Sequence, residues 1–116
     1  MKNEKVYAMS FAKVYPLLVN KAVRKGRTAE EVNQVIQWLT GYDPESLQAA
    51  LDAEVSYEVF FAEAPEMNPN RKKITGTICG VRVENIEEPL MQEIRYLDKL
   101  IDELARGRKL EKIFRE

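Results

Sequence analysis

Cys79 is the only thiol in this chain of 116 residues, and there is no histidine. Without imidazole, the commonest general base and the commonest metal ligand are both missing. One cysteine cannot build a thiolate zinc site or a Cys–His pair within one chain, and it rules out an internal disulfide. An enzyme would have to work with carboxylates, lysine or tyrosine. Glu30-Glu31 and Glu87-Glu88 are adjacent carboxylate pairs, yet neighbouring helical residues point in different directions, so spacing alone gives them no shared site. Solvated capping charges are the simpler reading. Arg82 is near Cys79 in sequence and could stabilise a thiolate, although cysteine is also among the residues most often simply buried. Gly76 and Gly80, with Gly41 far away, fit neither phosphate-cradling glycine pattern. The residues therefore assign no catalytic, cofactor-binding or metal-ligating role, and they lean against an enzyme.

Charge is the stronger signal. From Thr28 through Asn70 the chain carries nine Asp or Glu and no Lys or Arg. Residues 1–27 carry a net +6, residues 71–83 a net +4 and residues 84–116 a net −2, so the overall −1 conceals strong segregation. An acidic block of this kind faces solvent, a basic flank of the same molecule, or a partner. Basic residues cluster at Lys21–Arg27, at Arg71-Lys72-Lys73 and in the tail at Arg106, Arg108, Lys109, Lys112 and Arg115. If the clusters converge, Arg71, Lys72, Lys73, Arg82, Arg108 and Lys109 would form a surface for nucleic acid or for an acidic partner. A pI near 5.7 and the acidic block weigh against nucleic acid.

These groups must be positioned by helices. Ser10 can cap a helix through Phe11, Val14, Leu18 and Ala22 that Gly26 ends, with Pro16 expected to kink or interrupt it. Thr28-Ala29-Glu30-Glu31 reads as a capping box, and Val32, Val35, Ile36 and Leu39 keep helical spacing up to Gly41. Asp43-Pro44 restarts a helix, and Ser56 caps another through Phe60 and Phe61 that Pro65 ends. Several acids of the block, Glu30, Glu31, Glu45 and Glu58, thus sit at helix starts where the dipole favours them. Asp52, Glu54, Glu63 and Glu66 do not, and still want a partner.

From Pro89 to Gly107, Leu90, Ile94, Leu97, Ile101 and Leu104 define the longest helix, and Leu110, Ile113 and Phe114 share one side of a short terminal one. Tyr96 falls off the main seam and is expected at a polar edge. Trp38, Tyr42, Tyr57, Phe60 and Phe61 read as core or subunit-interface residues rather than a ligand cage. Residues 74–83 are rich in β-branched side chains but have no second strand of comparable quality to pair with. The preferred reading is a short helix from Asn70 to Gly80 with an extended segment after it; a hairpin, or a strand paired across a dimer, is the alternative. The expected fold is mainly α: one domain over 1–116, a bundle of short helices around a long helix at about 89–106, with a short β segment near 74–83 as the variant.

The runs Met9–Leu17, Trp38–Tyr42, Asn68–Arg71, Cys79–Glu84 and Pro89–Asp98 together resemble a bacterial family of small proteins catalogued only as a domain of unknown function, number 2200. The resemblance spans nearly the whole chain. It implies a prokaryotic cytosolic origin and carries no catalytic residues, because the family has no assigned activity. The charged start and a first apolar stretch broken by Lys13, Pro16 and Asn20 make a membrane span or leader unexpected and cytoplasm the default. The function read from the chain is a non-enzymatic, self-associating protein-interaction module, a homodimer or a binder of another protein. The alternative is a sequence-independent nucleic-acid binder using 71–73 and 106–115.

Overall fold

The computed structural model describes residues 3–115. Seven α-helices follow one another among the described residues: α1 (Glu4–Ala8), α2 (Phe11–Val23), α3 (Ala29–Thr40), α4 (Pro44–Asp52), α5 (Tyr57–Ala62), α6 (Pro89–Ala105) and α7 (Leu110–Ile113). A two-stranded antiparallel hairpin, β1 (Thr77–Ile78) and β2 (Val81–Arg82), is inserted before α6. Helix α6 is the packing centre, contacting α2, α3, α5, α7 and the hairpin. Its Leu97, Leu100, Ile101 and Leu104 are fully buried.

Local chemistry sets most boundaries. The Ser10 hydroxyl accepts from the Ala12 amide, and the Thr28–Glu31 capping box is closed in both directions. Asp43 and Ser56 cap α4 and α5. Gly41 ends α3 at φ +79, where a Cβ would meet the Glu66 backbone at 2.7 Å. That approach lets Glu66 and Asn68 donate to the last carbonyls of α3, from Thr40 and Leu39. Phe11 stacks on Phe60 at 3.8 Å, and Phe60 on Tyr42 at 4.6 Å, tying α2 to α5 and to the end of α3.

Three expectations are corrected. Helix α2 runs through Pro16, so the expected break into a turn and a later helix does not occur. Pro16 lies on the exposed side, where water can satisfy the Ala12 carbonyl that loses its partner. The stretch from Asn70 to Gly80 is not a helix. A 3₁₀ turn at Pro69–Lys73, capped by Asn68, gives way to the hairpin, whose Cys79-Gly80 turn has φ +52 and +78. Positive φ at both central positions is the two-residue turn that suits a twisted hairpin. Its backbone ends need no further strand: Glu84 accepts from the Gly76 amide and Gln92 donates to the Val83 carbonyl, each at 3.0 Å. Tyr96, finally, is buried. Helix α1 carried no sequence signal; Tyr7 and Asn3 hold it by donating to Glu88.

Candidate functional site

Carboxylates of α6 pair with several cations of the chain. Glu103, almost fully buried, accepts two bonds from Arg115 at 2.7 and 2.8 Å. Arg108 and Lys99 approach it at 3.3 and 4.0 Å. Asp102 pairs with Lys21 of α2 at 3.2 Å and with Arg106 at 2.9 Å. Arg71 donates to Glu93 at 2.9 Å, and Arg82 lies 2.8 Å from Glu84.

This decides what becomes of the predicted basic surface. Its three arginines, Arg71, Arg82 and Arg108, are each already paired to a carboxylate of their own chain. Lys72 stands 6.0 Å over the Tyr96 ring, and with Arg71, Phe61 and Leu90 it borders a groove of about 410 Å³. Lys73 is exposed on the same 3₁₀ turn, whereas Lys109 is exposed at the start of α7.

The acidic block has the opposite fate. Asp43, Glu45, Asp52, Glu54, Glu58, Glu63 and Glu66 are all exposed. Among the described residues, none of them enters an ion pair; within the block only Glu31 does, with Arg27. Asp43 is held below the ordinary carboxylate range, chiefly by the Ser46 amide it caps, and Asp52 accepts from Gln48. Glu54 lies in left-handed backbone at φ +53, and Glu63 caps the C-terminal end of α5. Val59, beside Glu58, is 37% exposed.

Helix α2 presents a complementary face. Lys13, Leu17, Asn20 and Arg24 recur at spacings of four, three and four, which puts them on one side of a helix, and all are exposed. Leu17 is 62% exposed and Val23 50%, the two most exposed large apolar residues among those described. Among the described residues no ion pair engages Lys13, Arg24 or Lys25.

Where α2 meets the hairpin, a second group of polar side chains converges. Arg95 Nη1 donates to Cys79 Sγ at 3.4 Å and to Asp98 Oδ2 at 3.0 Å. Burial raises the Asp98 carboxyl above its usual range, while Arg95 and Lys21 pull it back. Tyr57, 3% exposed, lies within the field of both Asp98 and Arg95, and burial pushes its phenol up. A cavity of about 270 Å³ opens here, lined by Leu17, Leu18, Lys21, Ile78, Cys79 and Asp98. Sequence reasoning placed Arg82 beside Cys79, but Arg95 holds that position. The spacing of Arg95 and Asp98 on a helix was the available signal. Among the described residues no group of His, Cys, Asp or Glu is arranged to hold a metal, and no helix is long and apolar enough to cross a membrane.

Residues 5–115 match the family described as "Uncharacterized protein conserved in bacteria (DUF2200)". The chain is also similar to the crystal structure of uncharacterized protein SP1917, with 53% identity over 95% of this chain and 90% of that one, at a TM-score of 0.90. No functionally curated protein matches it.

Proposed function

The chain belongs to the bacterial family DUF2200, and we propose that it is a non-enzymatic interaction module that associates with a second copy of itself. In this reading the acidic surface around Glu58, Val59, Glu63 and Glu66 meets the basic, apolar outer face of α2 on another molecule. One observation carries it: most of the paired cations use carboxylates of α6, and among the described residues seven exposed acids of residues 43–70 and the cations Lys13, Arg24 and Lys25 on and just after α2 enter no ion pair. Opposite charges interleaved with Val59, Leu17 and Val23 suit a docking surface, because electrostatics set orientation while apolar contact supplies affinity. The alternative, a sequence-independent nucleic-acid binder, has weaker support because Arg71, Arg82 and Arg108 are already paired within the chain. The reading takes the protein to act in the cytoplasm, in keeping with its exposed, unpaired thiol.

Sedimentation at low and high salt tests this. Association at low salt that weakens as salt rises is the expected result, since exposed charges are screened beyond about 10 Å at 0.1 M. A Lys13→Glu/Arg24→Glu variant and a Glu58→Lys/Glu63→Lys variant should each be monomeric alone and associate when mixed. A monomer under both salt conditions, with no association on mixing the variants, refutes the proposal.

A further inference from the structure

Helix α1 is fixed to the fold in different ways at its two ends. Behind it the backbone is pinned: the Met9 carbonyl accepts from the Tyr57 amide and the Phe11 amide donates to the Val55 carbonyl, each at 2.8 Å. In front, the Asn3 side-chain amide, at 2.9 Å, and the Tyr7 hydroxyl both donate to one oxygen of Glu88. Glu88 is the cap residue of α6, yet its side chain makes no capping bond there and serves α1 instead. These donors hold its carboxyl below the ordinary range, Tyr7 first and Asn3 second. The helix between the two anchors has little of its own to keep it in place. It has five residues, none of them buried, and the Asn3 side chain does not cap it. A helix that short is not stable without tertiary support. Only Val6 and Tyr7 are half-buried against the core, so little apolar surface is bared when the segment lifts.

We propose that residues 3–8 form a clasp that opens and closes as a unit while the rest of the fold stays intact, with Glu88 as its latch and Met9 as its hinge. Opening breaks two hydrogen bonds to one carboxylate, and that carboxylate stays at the N-terminal end of α6, where the helix dipole favours it. The closed clasp stands between two hollows. Glu4 and Tyr7 wall one of about 300 Å³ that reaches Glu58 of α5, and Asn3 and Glu88 wall one of about 390 Å³ that reaches Val81 of the hairpin. Lifting residues 3–8 removes a wall from both and leaves one trough from α5 to the hairpin. Segments with few buried apolar contacts are the ones that open ahead of global unfolding.

The test is native-state hydrogen exchange of the full chain, at a dilution where sedimentation shows monomer, so its outcome does not depend on self-association. In the closed clasp the amides of Tyr7 and Met9 bond the carbonyls of Asn3 and Val6. They should exchange through an opening whose cost barely changes with urea. The Leu97 and Leu100 amides inside α6 should exchange through one whose cost falls steeply, because global unfolding exposes far more surface. Tyr7→Phe removes a donor to a charged acceptor and should speed exchange at position 7 and Met9 about tenfold. Glu88→Ala should speed it at least as much. Ile101→Val, in the core of α6, should speed exchange at Leu97 about fivefold and leave Tyr7 and Met9 unchanged. The same urea dependence at all these amides, no acceleration by either clasp variant, or acceleration of Tyr7 and Met9 by Ile101→Val would overturn the proposal.

Discussion

Replacing Glu103 with glutamine should cost this protein about 3 kcal/mol, the lower end of what breaking a buried ion pair costs. The carboxylate is 6% exposed and accepts from both terminal nitrogens of Arg115, at 2.7 and 2.8 Å. Glutamine keeps one carbonyl oxygen, but its NH₂ faces the second Arg115 donor, so one charge-assisted bond, worth about 1.5–3 kcal/mol, is lost outright. The other weakens because the acceptor is now neutral. The Arg115 side chain is 13% exposed and cannot easily turn to water, whereas Arg108 at 47% can, which keeps the loss from rising further. In urea unfolding with a slope of about 2 kcal/mol/M, the midpoint should fall by about 1.5 M. A double-mutant cycle with Arg115→Gln should return a coupling of at least about 1 kcal/mol. A midpoint shift below about 0.3 M, or a coupling near zero, would refute the assignment of Glu103 as the clamp that holds the C-terminal segment to α6.

Gly41→Ala should destabilise by about 3 kcal/mol, from left-handed backbone and overpacking against Glu66, while Gly26→Ala, whose Cβ would meet nothing within 4 Å, should cost about 1 kcal/mol; equal melting temperatures would refute the close approach. Asp98 has a raised folded-state pKa, so its contribution to stability is fully present below the unfolded value of 3.8 and is lost as pH rises through the folded one. Asp98→Asn should accordingly gain on the parent between pH 3 and pH 7 in thermal melts, and a constant difference would contradict the sign. Glu31 and Glu84 have lowered values, the first chiefly through Arg27 and the second through backbone amides, so their contribution is present above the usual carboxylate range and is lost as acid titrates them; Glu84→Gln should flatten that part of the acid limb.

What could be read from the chain beforehand was what the chain decides within a few residues. Ser10, Thr28 with Glu31, Asp43 with Pro44, and Ser56 each satisfy orphan amides of their own helix, and the long apolar stripe of α6 needs only its spacing. The misreadings all required a partner distant in sequence. The hairpin stood second to a helix for want of strands, but the groups that complete it are side chains, Glu84 from the following turn and Gln92 from α6. Tyr96 looked like an edge residue because the helix alone cannot show what the rest of the fold lays over it. The polar cluster needed tertiary structure for the same reason: Cys79 and Arg95 are sixteen residues apart and meet only because the hairpin folds back on α6.

The charge segregation can now be divided by cause. Arg71, Lys21, Arg106, Arg108 and Arg115 use carboxylates of α6, so apart from the Arg27–Glu31 pair the basic flanks take no ion-pair partner from residues 28–70 among those described. Glu30, Glu31, Asp43, Glu45 and Glu58 lie in the first turns of helices or cap them, where the dipole and free amides favour negative charge. Asp52, Glu54, Glu63 and Glu66 have neither explanation. They lie in the last turn of α4 or beyond, in the connection after it, at the C-terminal end of α5 and in the following loop, and all are exposed. Asp52 and Glu63 meet the unfavourable C-terminal ends of two helix dipoles, and no ion pair among the described residues offsets it. Under the proposed self-association a cationic surface of a second copy would offset this cost, and Lys13, Arg24 and Lys25, which enter no ion pair among the described residues, have the chemistry to supply it.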